Sequence, residues 1–248
     1  MTEEQFAWFC KIRDEFRAYV DELSARASPW LLPLQEQLRR LQGYSDYSVE
    51  TPIVYNRALN DVKAGDDIRF IIVADNPGKN EQLGKNQRYL VGQSGKLARS
   101  WFKAELGLDF EKQAIIINKT PIHTPKTAEL RLLRKLAGQR LTELDALLAE
   151  SQKSMADFAF RLHVCLDCHL WISGYGELAG RGLFKPWAEA LSGFYTNESE
   201  RRKLKVLVFR HFSMNQFAIE YKSNQTGLPA MDRLEAIGQA NRQRILGW

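Results

Sequence analysis

The sequence is short of cysteine. Three residues in 248, Cys10, Cys165 and Cys168, are too few and odd in number for a disulfide scaffold. They form no second pair of metal ligands either. His163-x-Cys165-x-x-Cys168-His169 is a single compact cluster, whereas structural zinc sites draw on two separated pairs. These cysteines read as core residues, and neither a metal nor a cofactor is expected. No apolar run approaches the roughly 20 residues of a membrane span, so no membrane partner is expected. The start, Met1-Thr2-Glu3-Glu4-Gln5, lacks the basic-then-apolar layout of a secretory leader, and a soluble, cytoplasmic chain is expected. A working phosphate loop is missing too. Gly78 to Asn86 has one residue too many and ends on Asn. Gly92-Gln-Ser-Gly95-Lys96-Leu97 has too short a gap and puts Leu where a magnesium-binding hydroxyl belongs. No dinucleotide fingerprint follows the first strand.

What is present is ordinary for a globular chain: 44% hydrophobic and 26% charged residues, enough for one large α/β domain. The net charge of +5 and pI near 9.1 permit a polyanionic partner without demanding one. Residues 2–24 carry Phe6, Phe9, Ile12, Phe16, Tyr19 and Leu23 at helical spacing behind a Thr2/Gln5 capping box. Ser28-Pro29 is expected to end that helix, and a second one is expected between Pro33 and Gly43. Four short apolar runs follow, at Ile68–Ala74, Ala114–Ile117, Leu170–Ile172 and Lys205–Phe209. Helical stretches separate them: one capped by Ser94, one over residues 127–150 with a weak point at Gly138, one from Ser151, and one over about 177–192. A closing helix is expected over about 229–245. Strand–helix alternation specifies a parallel sheet between helices. The expected fold is a single-domain α/β/α sandwich on a mainly parallel four-stranded sheet. Residues 1–60 form a helical amino-terminal extension, residues 68–215 the core and residues 229–246 the last helix.

The strand exits are polar. They carry Asp75 and Asn76 before Pro77-Gly78, then Asn118, then Ser173 and Tyr175, then His211 and Ser213. Right-handed crossovers place all four exits on one edge of the sheet, where open α/β sheets bind ligands. Each group also has a bland reading. Asp75 and Asn76 could close an Asx-turn, Asn118 could form a turn, and His211 could be a satisfied buried imidazole. Lys79, Lys85, Arg88 and Lys96 could be a solvated loop face, and Tyr89 could be core.

Four segments in order resemble the uracil-DNA glycosylase superfamily. Ala74-Asp75-Asn76-Pro77-Gly78 resembles its G-x-x-P-G/Y motif. Arg88-Tyr89-Leu90-Val91-Gly92-Gln93-Ser94-Gly95 resembles R-P-F-V-G-x-A-G. Ile116-Ile117-Asn118-Lys119-Thr120-Pro121 resembles the strand whose final Asn reads the base. His211-Phe212-Ser213-Met214-Asn215 resembles H-P-S-x-x. The resemblance spans about Ile68 to Asn215. It implies a monofunctional, cofactor-free enzyme, acting as a monomer, that flips a uracil or related deaminated base out of DNA and hydrolyses its N-glycosidic bond.

The resemblance implies roles residue by residue. Asn76, or Asp75 beside it, would orient water, and His211 would donate to the uracil oxygen that gains charge. Asn118 would pair with the base's polar edge, with Leu90 or neighbouring Tyr89 in the stacking position. Gly78, Ser94, Lys119 and Ser213 would contact the DNA backbone, and Met214 or Asn215 would serve as the wedge. The sequence departs from the family's pattern at Ala74, Leu90 and Phe212, and at the missing iron–sulfur cysteines. Two other readings stay open: a divergent relative that binds a nucleobase, nucleotide or DNA without cleaving it, and an enzyme acting on a free nucleoside or nucleotide.

Overall fold

The computed structural model describes residues 1–248. Four strands, β1 (Phe70–Ala74), β2 (Ala114–Asn118), β3 (His169–Ser173) and β4 (Val206–Phe209), form one all-parallel sheet in the order β2-β1-β3-β4. The helices are α1 (Glu3–Leu41), α2 (Gln93–Trp101), α3 (Phe110–Gln113), α4 (Glu129–Leu136), α5 (Leu141–Leu166), α6 (Lys185–Tyr195), α7 (Glu200–Leu204), α8 (Gln216–Ser223) and α9 (Ala230–Leu246). No helix is long and apolar enough to cross a membrane.

Strand alternation sorts the core into two layers. Ile71, Val73, Ile115, Ile117, Leu170, Ile172, Val206 and Val208 meet α1, α4, α5 and α6 on one face. Phe70, Ile72, Ala74, Trp171, Leu207 and Phe209 meet α2, α3, α8 and α9 on the other. Trp171 centres that second layer, with ring centroids 4.8 Å from Phe209, 5.0 Å from Phe70 and 5.1 Å from Phe102. Burying each such ring contributes on the order of 2–3 kcal/mol. Both faces of the sheet are covered, as the strands' continuous apolar character requires.

Three expectations are corrected. The amino-terminal helix does not stop at Pro29: α1 runs unbroken from Glu3 to Leu41 with Pro29 and Pro33 inside it. Both prolines lie on the solvent side, four residues apart, so the carbonyls they orphan face water. The buried stripe Leu23, Ala27, Leu31, Leu34 and Leu38 holds the helix across them. That stripe belongs to the same core as β1 and β2, so residues 1–41 are an integral layer rather than an appendage. The chain breaks at the Gly138 weak point, with φ of +54°, but no new helix starts at Ser151, which is buried mid-helix with its hydroxyl on the Leu148 carbonyl. Ser94 does not cap α2; Gly92 is the N-cap, without a side-chain bond. Helix α8 had no sequence expectation.

The interior holds groups whose burial opposes charge. Burial pushes His123 and His163 down to about 4 from the usual 6.5. It pushes Glu81 up to about 7 from 4.5. Between about pH 6.5 and 4.5 the unfolded chain therefore takes up two histidine protons that the folded chain refuses. The folded chain holds one glutamate proton that the unfolded chain lacks. The difference is one proton in favour of unfolding, so stability should fall by roughly 1.4 kcal/mol per pH unit on acidification through this window. His169 and His211, lowered by burial as well, steepen the loss. Urea midpoints measured at several pH values across the window check this; a midpoint that stays constant or rises toward acid would contradict it.

Candidate functional site

One row of residues crosses the carboxyl edge of the sheet. Ala74 is in register with Asn118 on β2. Val73 pairs Ile172, which brings Ser173 level with Ala74, and Ser173 pairs Phe209. The row Asn118–Ala74–Ser173–Phe209 thus spans all four strands on the face of the second layer. Neighbouring strands lie about 4.8 Å apart, so Asn118 and Ser173 flank the short Ala74 side chain from either side. Both are buried, and neither Asn118 Nδ2 nor Ser173 Oγ has a hydrogen-bond partner. An unpaired buried donor costs about 1–3 kcal/mol. Two of them astride an alanine are groups that a polar ligand could satisfy, at strand ends that are at most 3% exposed. The position is also the switch point of the sheet, where crossovers diverge from β1 towards β2 and β3.

His211 follows two residues after Phe209, on the same side. Its Nδ1 accepts the Ser213 backbone N–H at 3.0 Å and lies 2.8 Å from Ser213 Oγ. An accepting Nδ1 leaves the proton of the neutral ring on Nε2, available to donate. Burial lowers the imidazole pKa, against the attraction of Asp75, so the neutral donor form prevails near pH 7. Leu90 and Phe212 pack on the same layer as Ala74.

Asn76 is oriented by its surroundings. Its Nδ2 donates to Thr124 Oγ1 at 2.9 Å and to the Ile122 and Thr124 carbonyls at 3.3 and 3.4 Å. Carbonyls can only accept, so the amide nitrogen must face them, and Oδ1 is left as a free acceptor.

Asp75 faces the other way. Alternation along β1 puts it with Ile71 and Val73, toward the first layer. There its Oδ1 takes a 2.5 Å hydrogen bond from Lys119 Nζ and its Oδ2 one of 3.2 Å from Thr127 Oγ1. Lys119 also donates to the Ser173 carbonyl and lies 5.2 Å from the Phe184 ring centroid. Its side chain is fully buried, and that burial lowers its pKa against the pull of Asp75. Gly174 closes the cage: with φ of +85° it adopts a backbone that side chains resist, and a Cβ there would lie 2.7 Å from Asp75 Oδ1. Asp75, Lys119, Thr127 and the carbonyl of Ser173 form a clasp binding β1, β2 and β3 at their exits.

Several sequence expectations move accordingly. Lys119 is not a backbone-phosphate contact, because no part of it reaches the surface. Tyr89 offers no face to a base: it is buried, its hydroxyl donates to the Val54 carbonyl at 2.6 Å, and it borders a groove of about 730 Å³ beside the free edge of β2. Leu90, at φ of +53°, is almost wholly buried. The Gly78 N–H is spent on Glu81 Oε2 at 2.6 Å. Ser94 is half-buried on the first turn of α2. Ser213 is engaged with His211. Met214 is 79% exposed, and it and Asn215 both have left-handed backbones, at φ of +50° and +59°.

Two buried groups beside the site had no place in the sequence reading. Glu81 accepts from the Gly78 N–H, and the backbone N–H groups of Leu90, Val91 and Gly92 before α2 oppose the rise that burial gives its pKa. His123 holds the Pro77 carbonyl through Nδ1 at 2.9 Å, with Nε2 unpartnered. A carboxylate three residues beyond the strand-ending glycine was the available signal for the first. His123, five residues beyond Asn118 among apolar neighbours, offered only a weak one.

Compared with known protein families and with curated proteins, the chain matches none.

Proposed function

We propose that the chain is a DNA glycosylase that hydrolyses the N-glycosidic bond of uracil, or of a related deaminated base, flipped into the crevice over Ala74. The observation that carries this is the unpartnered, buried Asn118 carboxamide in one row with Ser173, beside the free Nε2–H of a neutral His211. A base in that crevice would pair its polar edge with Asn118, relieving the orphaned donor. As the glycosidic bond breaks, negative charge gathers on the base and positive charge on the sugar. The Nε2–H of His211 would stabilise the former as a fixed donor. The Oδ1 of Asn76 would hold the attacking water but, as an amide, would remove its proton poorly. The clasped Asp75, its charge matched by Lys119, would hold the strand exits in place and would not contact the base.

A second reading, binding without excision, has one observation in its favour. Leu90 and not an aromatic residue occupies the position that the resemblance assigns to base stacking, and it is buried, so that position supplies no ring to hold a flipped base. His211→Ala and Asn76→Ala separate the two. For a glycosylase, each should slow single-turnover excision by at least about 100-fold, the scale of losing one preorganised polar group: the donor for His211, the water-holding acceptor for Asn76. Excision at wild-type rates in both variants would place the chemistry elsewhere.

A further inference from the structure

Two arginines beside these strand exits form no salt bridge within the protein. Tyr175 follows Ser173 by two residues, and Arg210 immediately precedes His211. Arg210 Nε donates to the Tyr175 hydroxyl at 3.0 Å, and its Nη1 donates to Gln216 Oε1 at 2.8 Å. From α9, Arg244 lays its guanidinium over the same ring, 4.9 Å from the centroid, with Nη2 on Asn241 Oδ1 at 2.7 Å. Both arginines are exposed, and neither has a carboxylate within 4 Å. Nearby arginines do: Arg131 pairs with Glu177, Arg202 with Glu198 and Arg201 with Asp167. Glu220, which bonds Arg210 through the backbone, is buried, with its oxygens spent on the Arg210 N–H at 2.9 Å and on Asn241 Nδ2 at 3.0 Å.

The two guanidiniums are therefore held in place by neutral partners while their charge stays available. Arg210 keeps Nη2 free, and Arg244 keeps Nε and Nη1. Fixed, planar, unpaired guanidinium groups suit the oxygens of a phosphodiester, which they bind through charge-assisted hydrogen bonds. Little side-chain freedom remains to be lost on binding. We propose that Arg210, Tyr175 and Arg244 form a binding site for the phosphodiester backbone of a nucleic-acid strand, next to the base-holding crevice. The proposal rests on the reading of that crevice as a nucleobase site. It makes Tyr175 a positioning residue: its hydroxyl fixes Arg210 and its ring supports Arg244.

Binding of a short, end-labelled single-stranded oligonucleotide with no damaged base, followed by fluorescence anisotropy between about 50 and 200 mM salt, tests the site independently of excision. Each lost phosphate contact on a single strand should reduce the slope of log affinity against log salt by about 0.7. Arg210→Gln with Arg244→Gln should therefore lower it by about 1.4, and Tyr175→Leu should lower it by a smaller amount. Lys112→Gln, at the opposite end of the sheet beside the β2 groove, should leave it unchanged. If the Arg244 change loosens α9, seen as a lowered melting temperature, Arg210→Gln alone should still lower the slope by about 0.7. Slopes that fall as expected in a protein that excises nothing would uphold the phosphate site and remove only the glycosylase reading. Wild-type slopes in the arginine variants, or no salt-dependent binding by the wild type, would overturn the proposal.

Discussion

Lys119→Met should destabilise the protein by about 3–5 kcal/mol, the cost of removing one partner from a buried ion pair. The loss of the pair's attraction is the smaller part. The larger part is the Asp75 carboxylate left behind, nearly buried, with only Thr127 Oγ1 to bond. The double change Asp75→Asn with Lys119→Met should recover most of that loss, because it removes the stranded charge. Urea denaturation of the two single variants and the double variant gives the coupling. If Lys119→Met unfolds at the wild-type midpoint, the clasp does not hold the strand exits. The pair bonds groups on β1, β2 and β3, so a stability change near the whole-domain scale is expected from one exposed-looking lysine of the sequence.

Asn118→Ala should do the opposite. It removes a buried amide whose nitrogen has no partner, a group that costs the folded state about 1–3 kcal/mol. The small cavity left behind offsets part of this gain. Stability should therefore stay within about 1 kcal/mol of wild type, although Asn118 is only 1% exposed and buried substitutions usually cost more. If the chain is the proposed glycosylase, excision should in contrast drop by about 100-fold or more, since the donor proposed to meet the base is gone. A variant that is both strongly destabilised and active would mean that Asn118 is a packing residue. The joint measurement is a denaturation midpoint and a single-turnover rate on the same preparation.

Much of the fold was legible because its signals are local. Four β-branched runs, each ended by a polar turn, became the four strands, and alternation with helices implied a parallel sheet. Asn118, Ser173 and His211 do meet at one edge. What stayed hidden depended on which side a residue faces. Period-two alternation from Ile71 and Val73 already sends Asp75 away from Ala74, so the division of the exits between two faces could have been counted from the strand itself. The partner of Lys119 lies 44 residues away, and nothing adjacent to that lysine marks it as buried. Tyr89 donates to a carbonyl 35 residues upstream, a contact no local pattern reveals. The prolines of α1 misled because their effect depends on the side of the helix they occupy: on the solvent side, water takes the carbonyls they free.

On the proposed function, the row over Ala74 holds a deaminated base for cleavage. The most direct measurement is excision from end-labelled oligonucleotides carrying one uracil, hypoxanthine or xanthine, single-stranded and paired, followed by alkali. Strand scission at the position of one of these bases, lost in His211→Ala and Asn118→Ala, is the expected result. Intact strands on every substrate at high enzyme concentration would contradict excision and leave a crevice that binds without cleaving.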